Sequence, residues 1–162
     1  MSGRVVSIHI AGRAGAPVEA VEAAELLAGR GIRGDRHCGQ PGQEPELQLT
    51  LIEAERVAAL NAALGTEIPA GEIRRNVVVR DVDLNGLVGR TFTVGPTRLR
   101  GIEPCEPCAH MARLLRARWP LDAVPEKEIV ARLAGCGGLR AEILAGGSVR
   151  PGDEIVLEST VA

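Results

Sequence analysis

Cys105 and Cys108 stand in the segment Glu103-Pro104-Cys105-Glu106-Pro107-Cys108, and a Cys-x-x-Cys pair admits several chemistries. It can be half of a tetrahedral zinc site, with His37, Cys38 or His110 supplying further ligands, although no second Cys-x-x-Cys is present. It can exchange disulfides as thioredoxin does, which calls for a βαβ setting that the sequence pattern does not display. It can also hold one reactive or metal-binding thiolate. Cys108 directly precedes a helix expected over Ala109–Arg118, whose free N–H groups and positive dipole end attract the negative charge of a thiolate. The plain alternative is a pair of small buried hydrophobes.

Two further polar clusters have chemical potential. Gly34-Asp35-Arg36-His37 is flanked by glycine. Arg36 and His37 are suited to hold a phosphate or a pterin-like ring, with Asp35 fixing their geometry. A solvated turn with an Asp–Arg pair is the ordinary reading. Arg74-Arg75-Asn76 precedes a valine run. Arginine suits bidentate phosphate recognition, and asparagine offers both a donor and an acceptor. An exposed strand start is the commoner case. His9, within the first strand, reads as a satisfied structural histidine, Cys136 as a loop thiol, and His110 as facing either Cys108 or solvent.

The elements that must position these groups read as short strands with a few helices. Val5–Ile10 is an opening strand. Val18–Ala28 is ambiguous between helix and strand. Thr50 and Glu53 have capping-box spacing, which predicts a helix starting near Thr50 with Ala54, Val57, Leu60 and Leu64 on one face and Gly65 at its end. Asn76–Val79 is a strand. Thr91–Val94 and Thr97–Ile102 form a hairpin around Gly95-Pro96. Helices are expected over Ala109–Arg118, stopped by Pro120, and over Glu126–Ala134. Leu139–Leu144 and Glu154–Leu157 close the chain. Many short strands with Gly/Pro turns predict a mostly β fold, a β-barrel with peripheral helices, as one domain over 1–162.

Composition narrows the function classes. The 162 residues carry 19 basic and 21 acidic side chains, a net charge of −2, with no basic block for nucleic acid. Phe92 and Trp119 are the only aromatics, so no stacking platform for single strands exists and the core is aliphatic. No apolar run is long enough to span a membrane, and the N-terminus has no signal-peptide pattern. Four cysteines in such a chain do not suggest a disulfide scaffold, so a reducing, cytoplasmic setting is the simplest assignment.

The order and spacing of these motifs resemble a MOSC domain, the module named after the C-terminal part of molybdenum cofactor sulfurase. The resemblance runs through Gly31-x-x-Gly34-Asp35-Arg36-His37, a helix over Leu51–Asn61, and Arg74-x-Asn76 leading into a strand. It continues through Leu87-x-Gly89-x-x-Phe92-x-Val94-Gly95, Cys105-x-x-Cys108, and Gly147-x-Val149-x-x-Gly152-Asp153. It covers nearly the whole chain, as in a stand-alone bacterial-type member without an N-terminal companion domain.

The resemblance implies a strand-rich barrel in which Val18–Ala28 is largely strand. It implies binding of the molybdenum cofactor (molybdopterin), with Cys108 as functional cysteine and molybdenum ligand. Gly34, Asp35, Arg36, His37, Arg74 and Asn76 would then hold the pterin or its phosphate. Cys105 stands where an arginine or another residue is often found, so two thiols compete for the metal.

Relatives similar to the mitochondrial amidoxime-reducing component reduce N-hydroxylated small molecules, which implies a small-molecule substrate and an electron-donor protein. Relatives similar to the sulfurases imply a sulfur carrier that takes a persulfide on Cys108 from a pyridoxal-phosphate cysteine desulfurase. A non-catalytic zinc module is the third reading.

Overall fold

Short β-branched and leucine-rich runs separated by glycine and proline turns pair into a closed sheet. The computed structural model describes residues 2–159. Its strands are β1 (Gly3–Ile10), β2 (Glu19–Val21), β3 (Ala24–Leu27), β4 (Gly31–Ile32), β5 (Leu49–Glu53), β6 (Val77–Arg80), β7 (Thr91–Val94), β8 (Thr97–Pro104), β9 (Leu139–Ala145), β10 (Gly147–Val149) and β11 (Glu154–Leu157). Three α-helices accompany them: α1 (Ala54–Leu64), α2 (Ala109–Arg118) and α3 (Glu126–Leu133). The ring β11–β7–β8–β9–β5–β6–β1 closes through pairing of β1 with β11, giving a seven-strand barrel with β2 added beside β1. A small second sheet, β10–β3–β4, lies alongside. The expected mostly β barrel with peripheral helices is therefore what forms.

Two apolar clusters share the barrel wall between them. Inside lie Val5, Ile8, Leu49, Leu51, Val77, Val79, Phe92, Leu99, Leu139 and Ile143. Outside, Ile52 and Val78 turn the opposite way and pack with Val57, Leu60, Met111, Leu115, Ile129 and Leu133 beneath the helices. This explains why β6 is Val-Val-Val without polar alternation: one face fills the barrel and the other seats the helices.

The structure corrects three readings. No capping box forms at Thr50. Thr50 lies within β5, α1 begins at Ala54, and Glu53 is its N-cap without a side-chain capping bond. Pairing of β5 with β9 and β6 on either side prevails over the local capping signal. The helix expected over Leu51–Asn61 thus starts three residues later. A βαβ unit is present after all, since β5, α1 and β6 form a parallel pair with a helical crossover. The cysteine pair lies outside it, at the end of β8 and the start of α2. Val18–Ala28 contains β2 and β3, as the family resemblance implied. Helix α2 spans the expected residues, and α3 ends one residue short of the expected Ala134. The domain assigned to 1–162 reaches, at both ends, residues outside the described ones.

Candidate functional site

At one rim of the barrel β1 ends, β6 begins and β8 leaves for α2. A cleft of about 270 Å³ opens there, lined by Asp35, Arg36, His37, Arg74, Asn76, Cys105 and Cys108, which sequence reasoning singled out separately. His9, Thr50, Arg75, Glu106 and Arg140 complete its polar lining. Gly34 is the exception. It does not line the cleft, and its φ of +87° gives it a backbone role in turning the chain into Asp35.

Asp35 is buried and its carboxylate is fully used. Oδ1 accepts from the Ala11 N–H at 3.0 Å and Oδ2 from the His37 N–H at 3.1 Å. The Arg36 N–H adds a bond to the Ala11 carbonyl at 2.8 Å. The loop is thereby locked to the end of β1, with the Arg36 and His37 side chains left exposed at the cleft. Partial desolvation by the cleft walls holds His37 below its ordinary pKa, and neighbouring Arg36 adds to the effect, so its imidazole is neutral near pH 7.

Asn76 is also consumed by the protein. Its Oδ1 accepts from both the Thr50 N–H and the Thr50 hydroxyl at 3.1 Å, and its Nδ2 donates to the His9 carbonyl at 3.1 Å. Its backbone N–H donates to Thr50 Oγ1 at 3.0 Å. Asn76 therefore joins β1, β5 and β6 at the rim. The hydroxyl read as a helix cap is instead half of this junction.

Arg74 differs from its neighbours. It is a non-glycine residue at φ +67°, ψ +32°, following the short 3-10 turn Ala70–Ile73. That left-handed conformation is strained for a side-chain-bearing residue, and such strain collects at ligand sites. Burial lowers its pKa, and the positive charge of Arg36, which lines the same cleft, lowers it further.

Arg75 was passed over in the Arg-x-Asn pattern, yet it is buried and organises the cysteine loop. Nε donates to the Gly137 carbonyl at 2.8 Å, and Nη2 to the carbonyls of Cys105 and Glu106 at 3.2 and 3.3 Å. The Cys105 N–H donates to the Gly138 carbonyl at 2.8 Å. Gly137 and Gly138 are needed for this approach. A Cβ would stand 2.4 Å from the Cys105 carbonyl oxygen at Gly137, and 2.1 Å from that of Leu51 at Gly138. The only sequence signal for the clamp was the glycine pair beside Cys136.

The two thiols are not equivalent. Cys105 is 2% exposed, whereas Cys108 is exposed as the N-cap of α2. Cys38 and Cys136 do not line the cleft; Cys136 Sγ lies 3.7 Å from the Arg132 carbonyl. All four cysteines are free. Among the described residues no group of three or more His, Cys, Asp or Glu side chains is arranged to hold a metal ion. The ligands required for a protein-only zinc site, among them Cys38 and the exposed His110, therefore do not converge on Cys105 and Cys108. His9 is bonded to Ser7 Oγ at 2.8 Å and its ring packs on Gly71, where a Cβ would stand 2.5 Å from it. It is structurally satisfied, as expected, and also lines the cleft.

The cleft gathers four arginines, Arg36, Arg74, Arg75 and Arg140, against two acids, Asp35 and Glu106. In a chain of net charge −2 this is a local concentration of positive charge. Asp35 is spent on backbone N–H groups and Arg75 on carbonyls, while Arg36 and Arg74 have no side-chain partner among the described residues. Such a cleft attracts an anion and sets an exposed soft sulfur at its lip.

Comparison with known proteins gives the following. Residues 34–156 match the family described as MOSC domain. No curated protein matches the chain. Among solved structures, the chain is similar to the YuaD protein (APC1665) from Bacillus subtilis, with TM-score 0.83, 19% identity, and 99% and 98% of the two chains covered. It is also similar to YiiM from Geobacillus stearothermophilus, with TM-score 0.70 and 17% identity over 97% of this chain and 75% of that one. YiiM from Escherichia coli gives TM-score 0.69 and 15% identity over 98% and 71%. At these identities the likeness speaks for the fold. No helix among the described residues is long and apolar enough to cross a membrane.

Proposed function

The chain belongs to the MOSC domain family, which is associated with the molybdenum cofactor, and from that premise we propose that the arginine cleft holds this cofactor with Cys108 as the molybdenum ligand. The observation that carries the reading is the pairing of an exposed thiol with two uncommitted guanidinium groups, one of them on a strained residue.

The donor set fits the group. Arg36 and Arg74, which line the cleft without side-chain partners among the described residues, would take its phosphate. Arg75 and the glycine pair hold the Cys105–Cys108 segment so that Cys108 faces the cleft and Cys105 stays inside. Asp35, Thr50 and Asn76 fix the rim rather than contact the ligand. When bound, the cofactor supplies two-electron redox chemistry.

The activity we assign is that of an oxidoreductase component acting on N-hydroxylated or similar small substrates. Reducing an N–OH group to N–H consumes two electrons and two protons and releases water. An electron-donor protein must provide the electrons, because the chain has no haem, flavin or iron–sulfur motif. His37, which lines the cleft and is neutral near pH 7, would accept and pass a proton there.

The exposure of Cys108 also favours a second reading, sulfur carriage. Its thiolate would attack the outer sulfur of a desulfurase persulfide, take up that sulfur and release the desulfurase thiolate.

One experiment separates the two. The protein is purified from cells able to make the cofactor, analysed for molybdenum and released pterin, and in parallel incubated with a cysteine desulfurase and cysteine for mass spectrometry. One molybdenum and one pterin per chain support the first reading. Their absence under ample molybdate, with one added sulfur on Cys108, replaces it by the second.

A further inference from the structure

Cys108 borders two cavities. The second is a groove of about 860 Å³ between α2 and α3, and among the described residues Cys108 alone lines both it and the arginine cleft. We propose that this groove binds a neutral, largely apolar small molecule and presents the molecule's reactive end to Cys108 from the side away from the cleft. The inference rests on the proposed function, in which Cys108 ties the metal there, and it names the class of substrate that the groove would bring to that point.

The lining decides the class. Pro107, Ala109, Ala123, Pro125, Val130 and Ala131 make an aliphatic wall of small side chains. The charged members balance, with Arg116 and Lys127 against Asp122 and Glu126. Arg116 and Arg113 also both reach Glu126, at 3.9 Å. The groove therefore offers no net charge to an ion, in contrast with the cleft on the other side of Cys108. Its volume falls within the roughly 300–1,000 Å³ typical of small-molecule sites. The floor is held by Met111, Ala112, Leu115, Ile129 and Leu133, which pack the two helices onto the barrel. An anionic cofactor and an apolar substrate would thus meet at one residue from two differently built cavities.

Alkylation of Cys108 reads the groove directly. The full chain, prepared without molybdate so that the thiol is free, is treated with N-ethylmaleimide and N-hexylmaleimide, and the rate is followed on the Cys108 peptide by mass spectrometry. If the groove takes the alkyl chain, burying about half of four methylenes raises the rate roughly tenfold, with saturation in reagent. Ala131→Glu and Ala123→Glu, both at exposed positions on the wall, should remove that gain, read in each variant as the ratio of the N-hexylmaleimide rate to the N-ethylmaleimide rate. Equal rates for the two reagents overturn the inference, and so does a gain that survives in both variants. A chain that shows the gain here, yet carries no molybdenum when purified from cofactor-producing cells under ample molybdate, would end the cofactor reading and leave the groove standing. A chain that loads with molybdenum in those cells, yet shows no gain here, would do the reverse.

Discussion

Replacing Arg75 by methionine tests whether the cysteine loop is held by one buried guanidinium. The side chain donates to the carbonyls of Gly137, Cys105 and Glu106 at 2.8, 3.2 and 3.3 Å, and a weaker bond reaches the Ile73 carbonyl at 3.4 Å. Charge-assisted bonds of this kind contribute about 1.5–3 kcal/mol each, and a stranded carbonyl costs about 1–3 kcal/mol. Against that, burying the guanidinium costs several kcal/mol, which methionine recovers. Burial accordingly lowers the Arg75 pKa. The net loss for Arg75→Met should be about 3–5 kcal/mol. For a chain of this size that lowers the melting temperature by about 10 °C. Arg75→Lys, which keeps one or two of the bonds, should lose about half as much. The specific readout is Cys105, which is 2% exposed in the parent. Iodoacetamide at room temperature should label Cys108 and spare Cys105 in the parent, and label both in Arg75→Met. A variant within about 1 kcal/mol of the parent by urea unfolding, with Cys105 still protected, would refute the clamp.

Other consequences follow from the same geometry. Arg74→Gly should relieve the φ of +67° and stabilise the chain by about 1 kcal/mol in thermal unfolding, yet weaken anion binding several-fold by calorimetry. Thr50→Val removes two of the bonds to Asn76 and should cost about 1–3 kcal/mol in chemical unfolding, with Thr50→Ser close to the parent. His9 and His37 both have lowered pKa values, chiefly through burial, so below about pH 6.5 the unfolded chain binds more protons than the folded one. Stability is therefore complete above that pH and falls as the pH drops through it. An anion seated in the cleft favours charged His37, so sulfate affinity should rise as pH falls from 8 to 5.5, and His37→Gln should flatten that rise.

Local signals carried much of the fold, and their failures have a common cause. Helix α2 was readable because Pro120, a stop signal that acts within a few residues, lies just beyond it. The start of α1 was misplaced because Thr50 and Glu53 have capping spacing, while the pairing of β5 with β9 and β6 depends on residues far along the chain. Candidate-site residues were legible by type and motif order, and the structure brings Asp35, Arg36, His37, Arg74, Asn76 and Cys108 to one cleft. What each one does there was not legible. Whether a polar atom faces a ligand or a carbonyl is decided by partners distant in sequence, as with Asn76 and Thr50. Arg75 and Arg140 were missed for that reason: a strand-start arginine in sequence gives no sign that three distant carbonyls will receive it.

The central claim is that Cys108, not Cys105, ties molybdenum to this chain. The most direct measurement is the molybdenum-to-protein ratio of the parent, Cys105→Ser and Cys108→Ser, each purified from the same cofactor-producing cells. The account predicts about one metal per chain in the parent and in Cys105→Ser, with a loss of most of it in Cys108→Ser. Full loading of Cys108→Ser, or a parent protein free of molybdenum, would contradict it.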